Sequence, residues 1–288
     1  MNVTLIGTGL MGYPMAERLT QFHSLAVYNR TKTKAEPLRN LGAAIASTPA
    51  EAIVHGQVII LMLADAKAIK EILFSGKKCN LKNKTVIQMG TIASSESIHF
   101  KEKISKQGGD YLECPVLGSI KEAREGKLHL MVGASQKQFQ QWQEFLKCFG
   151  PEPRLIGPVG KGAALKLAMN QLIASHISGF SLSLGLVQRS GISVDDFMAI
   201  LRKSALYAPM FDNKLPRMIN KDYANPNFST KHMLKDVNLF LKEAKARGLK
   251  AKVLEEIRDL LKQTLKNFAE DDYSAVLNII SPKNKFKY

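Results

Sequence analysis

Three glycines near the start of the chain carry the first chemistry that can be read from it. They stand in Gly7-Thr8-Gly9-Leu10-Met11-Gly12, spaced G-x-G-x-x-G, directly after an apolar run over residues 3–6 and before a helix-like stretch over residues 15–19. Gly7 permits a tight turn, Gly9 lets backbone approach a pyrophosphate, and Gly12 allows the helix to pack close to the strand. The helix start then presents unpaired N–H groups and a positive dipole end to phosphates. An ordinary glycine-rich turn is the bland alternative; the flanking strand and helix favour dinucleotide binding, with Gly7, Gly9, Leu10, Met11 and Gly12 as cofactor contacts. A second strand over residues 25–28 runs into Asn29-Arg30-Thr31. An NAD site usually carries an acid here, because a carboxylate accepts the ribose hydroxyls. This chain has Arg30 instead, with Lys32 and Lys34 nearby. A guanidinium pairs bidentately with a 2′-phosphate that a carboxylate would repel, so NADP(H) is expected over NAD(H), held by Asn29, Arg30 and Thr31. The alternative for Arg30 is a solvated surface charge.

Other constellations fail. The six histidines show no metal-ligand spacing, and no metal is expected. There is no Gly-x-Ser-x-Gly elbow and no Gly-x₄-Gly-Lys-Ser/Thr loop, which argues against a hydrolase or an NTPase. The three cysteines, Cys79, Cys114 and Cys148, are an odd and sparse set that suggests a reducing compartment. With the first strand expected almost from Met1, no signal peptide is expected. The longest apolar run, residues 58–64, is too short to span a bilayer. A cytoplasmic protein is expected.

The net charge of +16 can mean nucleic acid, and it also attracts anionic substrates and a polyanionic cofactor. The lysines are scattered rather than gathered into one arm. Their one concentrated stretch, Lys283-Asn284-Lys285-Phe286-Lys287, reads as a solvated end. No nucleic-acid motif accompanies the charge, so that role is not expected to be primary.

These residues need a scaffold, and the chain supplies one in two parts. At 288 residues, with 45% hydrophobic and 23% charged residues, it is an ordinary globular composition long enough for two domains. Strands are expected over residues 3–6, 25–28, 58–63, 85–89, 111–113 and 128–132, alternating with helices over 32–41, 49–54, 66–73 and 94–106. Such alternation implies crossovers and a mostly parallel sheet covered on both faces. A long helix is expected over residues 163–190, roughly 42 Å in length, which could serve as a dimer seam or as the pillar of a helical domain. Further helices follow over 194–201, 230–247, 252–267 and 273–280. The expected fold class is α/β: an N-terminal Rossmann domain with a doubly wound, mostly parallel sheet over residues 1–157, then an all-helical substrate or dimerisation domain over 158–288. Gly157-Pro158 marks the junction.

Four segments, in order along the chain, resemble the β-hydroxyacid dehydrogenase family, which includes 3-hydroxyisobutyrate dehydrogenase, tartronate semialdehyde reductase and the glyoxylate/succinic semialdehyde reductases. They are Gly7-Thr8-Gly9-Leu10-Met11-Gly12-Tyr13-Pro14-Met15-Ala16 with Asn29-Arg30-Thr31; Cys114-Pro115-Val116-Leu117-Gly118-Ser119; Gly160-Lys161-Gly162 through Lys166 to Asn170; and Lys235-Asp236-Val237.

The resemblance implies roles for particular residues. Lys166 matches the family's catalytic lysine, and Asn170, one helical turn on, matches the asparagine that places it or the substrate. Hydride arriving at an aldehyde carbon leaves alkoxide charge on oxygen, which an adjacent ammonium stabilises and protonates. In the oxidative direction a neutral lysine accepts the alcohol proton. Substrate contacts are implied at Gly118, Ser119, Leu117 and Lys235, and cofactor contacts at Leu63, Ala64, Thr91 and Asp236. Asp236 has the alternative of an ordinary helix-face partner for a lysine.

The chain also departs from the pattern. The family usually reads Pro-Val-Ser-Gly-Gly, and here Leu117 replaces the serine while Ser119 replaces the second glycine. Met169 stands where the family often has asparagine, so with Leu117 the pocket is expected to be more apolar; Gly90, before Thr91, stands where the family usually has serine.

The implied function is NADPH-dependent reduction of small carboxylated aldehydes of the glyoxylate or succinic semialdehyde type, or the reverse hydroxyacid dehydrogenation, by a dimer or tetramer. A related imine reductase is one alternative, although those relatives generally lack the catalytic lysine. A non-catalytic nucleotide-binding scaffold engaging nucleic acid or protein is another.

Overall fold

The structure, a computed structural model, describes residues 1–75 and 79–282, so the basic stretch at residues 283–287 lies outside the described residues. The chain opens with β1 (Asn2–Ile6), α1 (Gly12–Thr20), β2 (Ser24–Tyr28), two 3₁₀ turns (Lys32–Lys34 and Glu36–Leu41), β3 (Ala44–Ile45) and α2 (Pro49–His55). It continues through β4 (Val58–Leu61), α3 (Ala66–Phe74), β5 (Thr85–Gln88), α4 (Ser94–Ser105), β6 (Asp110–Glu113) and β7 (Val116–Leu117). Next come α5 (Ile120–Glu125), β8 (His129–Gly133), α6 (Gln136–Leu146) and β9 (Arg154–Gly157). The remainder is helical: α7 (Lys161–Arg189), α8 (Val194–Arg202), α9 (Pro209–Asn220), α10 (Thr230–Ala246), α11 (Lys252–Phe268), a 3₁₀ turn (Tyr273–Val276) and α12 (Leu277–Ile280).

The strands form one sheet in the order β3-β2-β1-β4-β5-β6-β8-β7, with β9 on β8. From β3 to β6 every pairing is parallel; β8 runs antiparallel to β6 and β7, and β9 is parallel to β8. Both faces are buried, as the alternation within single strands shows. Val3 and Leu5 of β1, with Val58 and Ile60 of β4, enter one apolar cluster. Ile6, with Ile59 and Leu61, enters the other. Period-two alternation between two apolar cores is what a sheet covered by helices on both sides requires. This is a doubly wound Rossmann sheet, whose strand order reverses between β1 and β4 and opens a crevice at their carboxyl ends.

Contacts divide the chain into two compact units, Met1–Leu167 and Ala168–Tyr288. The division falls inside α7, whereas the change from alternating strands to helices alone falls after β9, at Gly157-Pro158. The second unit has its own core, into which α7 sends Ala174, Ile177, Phe180 and Leu184 at helical spacing. Phe180 stacks on Phe211 of α9 with centroids 4.6 Å apart.

Local differences from the sequence reading have local causes. The expected helix over 32–41 is two 3₁₀ turns, because Pro37 has no N–H to give and crowds the α conformation of Glu36. β3, β7 and β9 are too short or too exposed to show a pattern. The α6 helix has little apolar sequence of its own; its start is fixed by Ser135, whose N–H donates to Gln138 Oε1 at 2.9 Å.

Candidate functional site

Each glycine of the first turn has a separate mechanical reason. Gly7 sits at φ +102°, in the left-handed region, and a Cβ there would lie 2.3 Å from the Met62 carbonyl oxygen. A Cβ at Gly12 would lie 1.8 Å from the Gly7 carbonyl oxygen, so α1 can start only with glycine at that point. Around Gly9 a Cβ would meet nothing within 4 Å, leaving its backbone open to approach. The loop is tied to the end of β2: the Gly7 N–H donates to Tyr28 O at 2.9 Å and the Thr8 N–H to Asn29 Oδ1 at 3.1 Å. Asn29 in turn donates from Nδ2 to Thr31 O at 2.8 Å. Thr8 Oγ1 is buried and makes no hydrogen bond.

A cavity of about 440 Å³ opens at this point, lined by Gly7, Gly9, Asn29, Arg30, Thr31, Leu63 and Ala64 together with Lys34. The structure thus gathers seven of the expected cofactor residues. Leu10, Met11, Gly12, Thr91 and Asp236 do not line the cavity; Leu10 is exposed and Gly12 is packed beneath the loop. Arg30 is exposed, and among the described residues no ion pair engages it. Open glycine backbone, an unsatisfied buried hydroxyl and an uncommitted guanidinium at the end of β2 fit a dinucleotide. Lys34, noted in the sequence as a lysine near Arg30, also lines the cavity, in the first of the 3₁₀ turns after β2.

At the end of β5, Gln88 folds its amide onto the backbone of Gly90, accepting from its N–H at 2.5 Å and donating to its carbonyl at 3.0 Å. A Cβ at Gly90 would come within 2.5 Å of the Leu63 carbonyl oxygen, so close approach of the two loops accounts for glycine there. Thr91, half-buried, follows.

The turn after β7 carries Leu117, half-buried, and Gly118, exposed with φ +140°. Both donors of Ser119 are engaged by one carboxylate oxygen. Its N–H donates to Glu122 Oε2 at 2.7 Å, and its hydroxyl donates to the same atom. The Ser119 hydroxyl in turn holds the Glu122 carboxyl below its usual range. Beside this turn, Glu113 is buried at the end of β6 and accepts the N–H groups of Gly160 and Ala163 at the start of α7. Burial pushes its carboxyl above the ordinary range, against the pull of Ser97 and the α7 amides. Glu113 and Glu122 are absent from the sequence reading. For Glu122 a signal exists, since Ser119-x-x-Glu122 is a capping-box pattern; for Glu113 there is none.

Lys166 is half-buried on α7, and Asn170 is buried one turn further along the same helix. Asn170 donates from Nδ2 to Asp236 Oδ2 at 2.5 Å, while its Oδ1 is buried without a hydrogen-bond partner. Asp236, on α10, is also approached by its neighbour: Lys235 Nζ lies 2.9 Å from Asp236 Oδ1, a charge contact without hydrogen-bond geometry. Asp236 therefore serves Asn170 directly. One turn before it on α10, His232 bonds Ser229 Oγ through Nδ1 at 2.7 Å. Burial and then the charges of Lys235 and Lys231 push its ring below the usual histidine range. Met169 is half-buried beside Asn170.

Among the described residues no three His, Cys, Asp or Glu side chains are grouped to hold a metal ion, and no helix is long and apolar enough to cross a membrane. A glycine turn at the reversal point of a doubly wound sheet, opening on a cavity with a free guanidinium, defines a dinucleotide-binding protein of the Rossmann class. Comparison with known proteins sharpens this. Residues 2–157 match the NAD binding domain of 6-phosphogluconate dehydrogenase, and residues 160–280 match the NAD-binding family of NADP-dependent 3-hydroxyisobutyrate dehydrogenase. Glyoxylate/succinic semialdehyde reductase 1 of Arabidopsis thaliana is 31% identical, with 97% of this chain and 98% of that protein covered. The 2-hydroxy-3-oxopropionate reductase of Escherichia coli (strain K12) is 31% identical, with 86% of each covered. The fold matches the crystal structure of 3-hydroxyisobutyrate dehydrogenase from Salmonella typhimurium with a TM-score of 0.87 at 21% identity, covering 96% of this chain and 99% of that one. The chain belongs to the 3-hydroxyisobutyrate dehydrogenase-like family of NAD(P)-dependent oxidoreductases.

Proposed function

We propose that this protein is an NADPH-dependent reductase of small aldehydes bearing a carboxylate, of the glyoxylate or succinic semialdehyde kind, also able to oxidise the corresponding hydroxyacids. The observation that carries the reading is the α7 pair: a half-buried Lys166 one turn before an Asn170 whose amide is fixed by Asp236. When bound, the reduced nicotinamide supplies a hydride to the carbonyl carbon. Lys166 donates the proton to the carbonyl oxygen as negative charge develops there. Asn170, with Nδ2 committed to Asp236, keeps Oδ1 as a buried acceptor that orients the reacting hydroxyl or the ammonium. Gly118 offers a backbone donor for a carboxylate, and the Ser119 donors become available when Glu122 stands aside; Lys235 is a further cation suited to an anionic substrate. Arg30 and Lys34 favour the 2′-phosphate, which supports NADPH over NADH. The exposed Leu172, Leu182 and Leu186 along α7 support a homo-oligomer.

The test is NADPH consumption against small aldehydes with and without a carboxylate, and against cyclic imines. Carboxylated aldehydes are expected to be consumed. Lys166→Ala is expected to keep its melting temperature and NADPH affinity while turnover falls by about 10²–10⁴-fold. Near-normal turnover in that variant would overturn the assignment, and turnover of imines alone would move the protein to the imine reductases.

A further inference from the structure

We propose that Glu113 is a positioning residue: through one carboxylate oxygen it sets the first turn of α7, and so the place at which Lys166 is delivered. The inference rests on the catalytic role given to Lys166 above, and its own observations are independent of that role.

Glu113 is 0% exposed and stands at the last position of β6, beside the segment that leads into the Leu117-Gly118-Ser119 turn. Its Oε1 accepts from the Gly160 N–H at 2.8 Å and from the Ala163 N–H at 3.0 Å, while Oε2 has no hydrogen-bond partner among the described residues. These are first-turn amides, which have no partner within their own helix. The other side of Gly160 is pinned as well, since Ser94 Oγ donates to its carbonyl at 2.9 Å.

The carboxylate also has no room to move. A Cβ at Gly133 would fall 2.2 Å from Glu113 Oε1, and a Cβ at Gly162 would fall 3.2 Å from it and 2.5 Å from the Met131 carbonyl oxygen. Two glycines thus make a slot in which a glutamate, and no longer or shorter acid, reaches both amides. Lys166 follows Ala163 by less than one turn. Each helical residue advances about 1.5 Å and rotates about 100°. A slip of a single residue in the first turn would therefore swing Lys166 off its face entirely. Reactions that depend on a placed proton donor lose about 100-fold for a displacement near 1 Å. Buried as it is, Glu113 touches no substrate; it acts through the helix.

The experiment compares Glu113→Gln, Glu113→Asp and Glu113→Met in steady-state turnover, in NADPH binding and in amide hydrogen exchange at Gly160 and Ala163. Glutamine keeps an oxygen that accepts both amides, so kcat is expected within about threefold of the parent and exchange unchanged. Aspartate keeps the charge but is one methylene short, and methionine keeps the volume without the acceptor. Both are expected to lose about tenfold or more in kcat, with aldehyde KM and NADPH Kd little changed and faster exchange at the two amides.

Parent-like kcat and exchange in Glu113→Asp and Glu113→Met would overturn the proposal. So would equal losses in NADPH binding and kcat, the signature of a residue that merely holds the fold. Gly133→Ala attacks the same contact without altering Glu113 and is expected to give the same kinetic split. It decides the matter if the other variants do not fold, and parent-like kinetics and exchange there would again overturn it. Lys166→Ala, assayed alongside, separates the two claims. If it is active, Lys166 loses its role, while the exchange data still report whether Glu113 holds the turn.

Discussion

Arg30 and its neighbour Asn29 divide the end of β2 between structure and recognition. The asparagine turns in to hold Thr8 and Thr31, and the guanidinium is left exposed at the edge of the cavity. Because Arg30 has no ion pair among the described residues, replacing it should leave stability within about 0.5 kcal/mol of the parent. Arg30→Asp is expected to invert the cofactor preference, lowering kcat/KM for NADPH by at least about tenfold while NADH is retained or improved. An unchanged NADPH/NADH ratio would remove Arg30 from the phosphate site. At this scale the sequence singles out residue types that carry their own chemistry, and the structure puts Arg30 at the cavity edge and Lys166 one turn before Asn170 on α7. The sequence is silent where a role depends on a distant partner. Asp236 lies 66 residues from Asn170, and nothing local tells an acid that bonds an amide from one that faces a lysine. Glu113 is the sharper case, since a glutamate ending a strand reads as a surface acid until the helix start it caps is seen.

Among the elements, the β1–α1 turn shows how much backbone geometry a short motif can encode. Two of the three glycines, Gly7 and Gly12, are required by close contacts in the fold, the tightest at Gly12, while Gly9 leaves its backbone open to approach. Gly12→Ala forces the start of α1 away from β1, a strain of about 1–3 kcal/mol for such overpacking. The variant should melt several degrees lower and bind NADPH at least about tenfold more weakly; thermal denaturation and cofactor titration read both. Parent-like binding would mean that the helix start has no part in holding phosphate. The long parallel strands and α7 could be read from apolar runs, because burial on both faces leaves that signature. The α9 helix could not. It contains Pro216, a residue that signals a break, and its burial of Phe211 and Met218 sustains it against that preference. The same override made two-residue strands of β3 and β7, whose pairing is dictated by their neighbours.

For the molecule as a whole, the charge balance is the property no single element explains. Forty-one basic residues against twenty-five acidic ones give +16, and the ligands inferred for the site are all anions. A field of that sign concentrates anions near the protein and is screened beyond about 8 Å at physiological salt. The KM for NADPH and for a carboxylated aldehyde should therefore rise severalfold from low to high ionic strength, with kcat nearly constant; a salt-independent KM would show that the net charge has no part in capture. Against that background Glu122 is conspicuous, because it places a carboxylate on both donors of Ser119. A tethered group competes at an effective concentration set by its short leash, in the millimolar range or above for flexible connections. Any free carboxylate reaching Ser119 therefore does not bind to an empty site. It enters an exchange, and its apparent affinity is scaled by the fraction of time Glu122 stands aside.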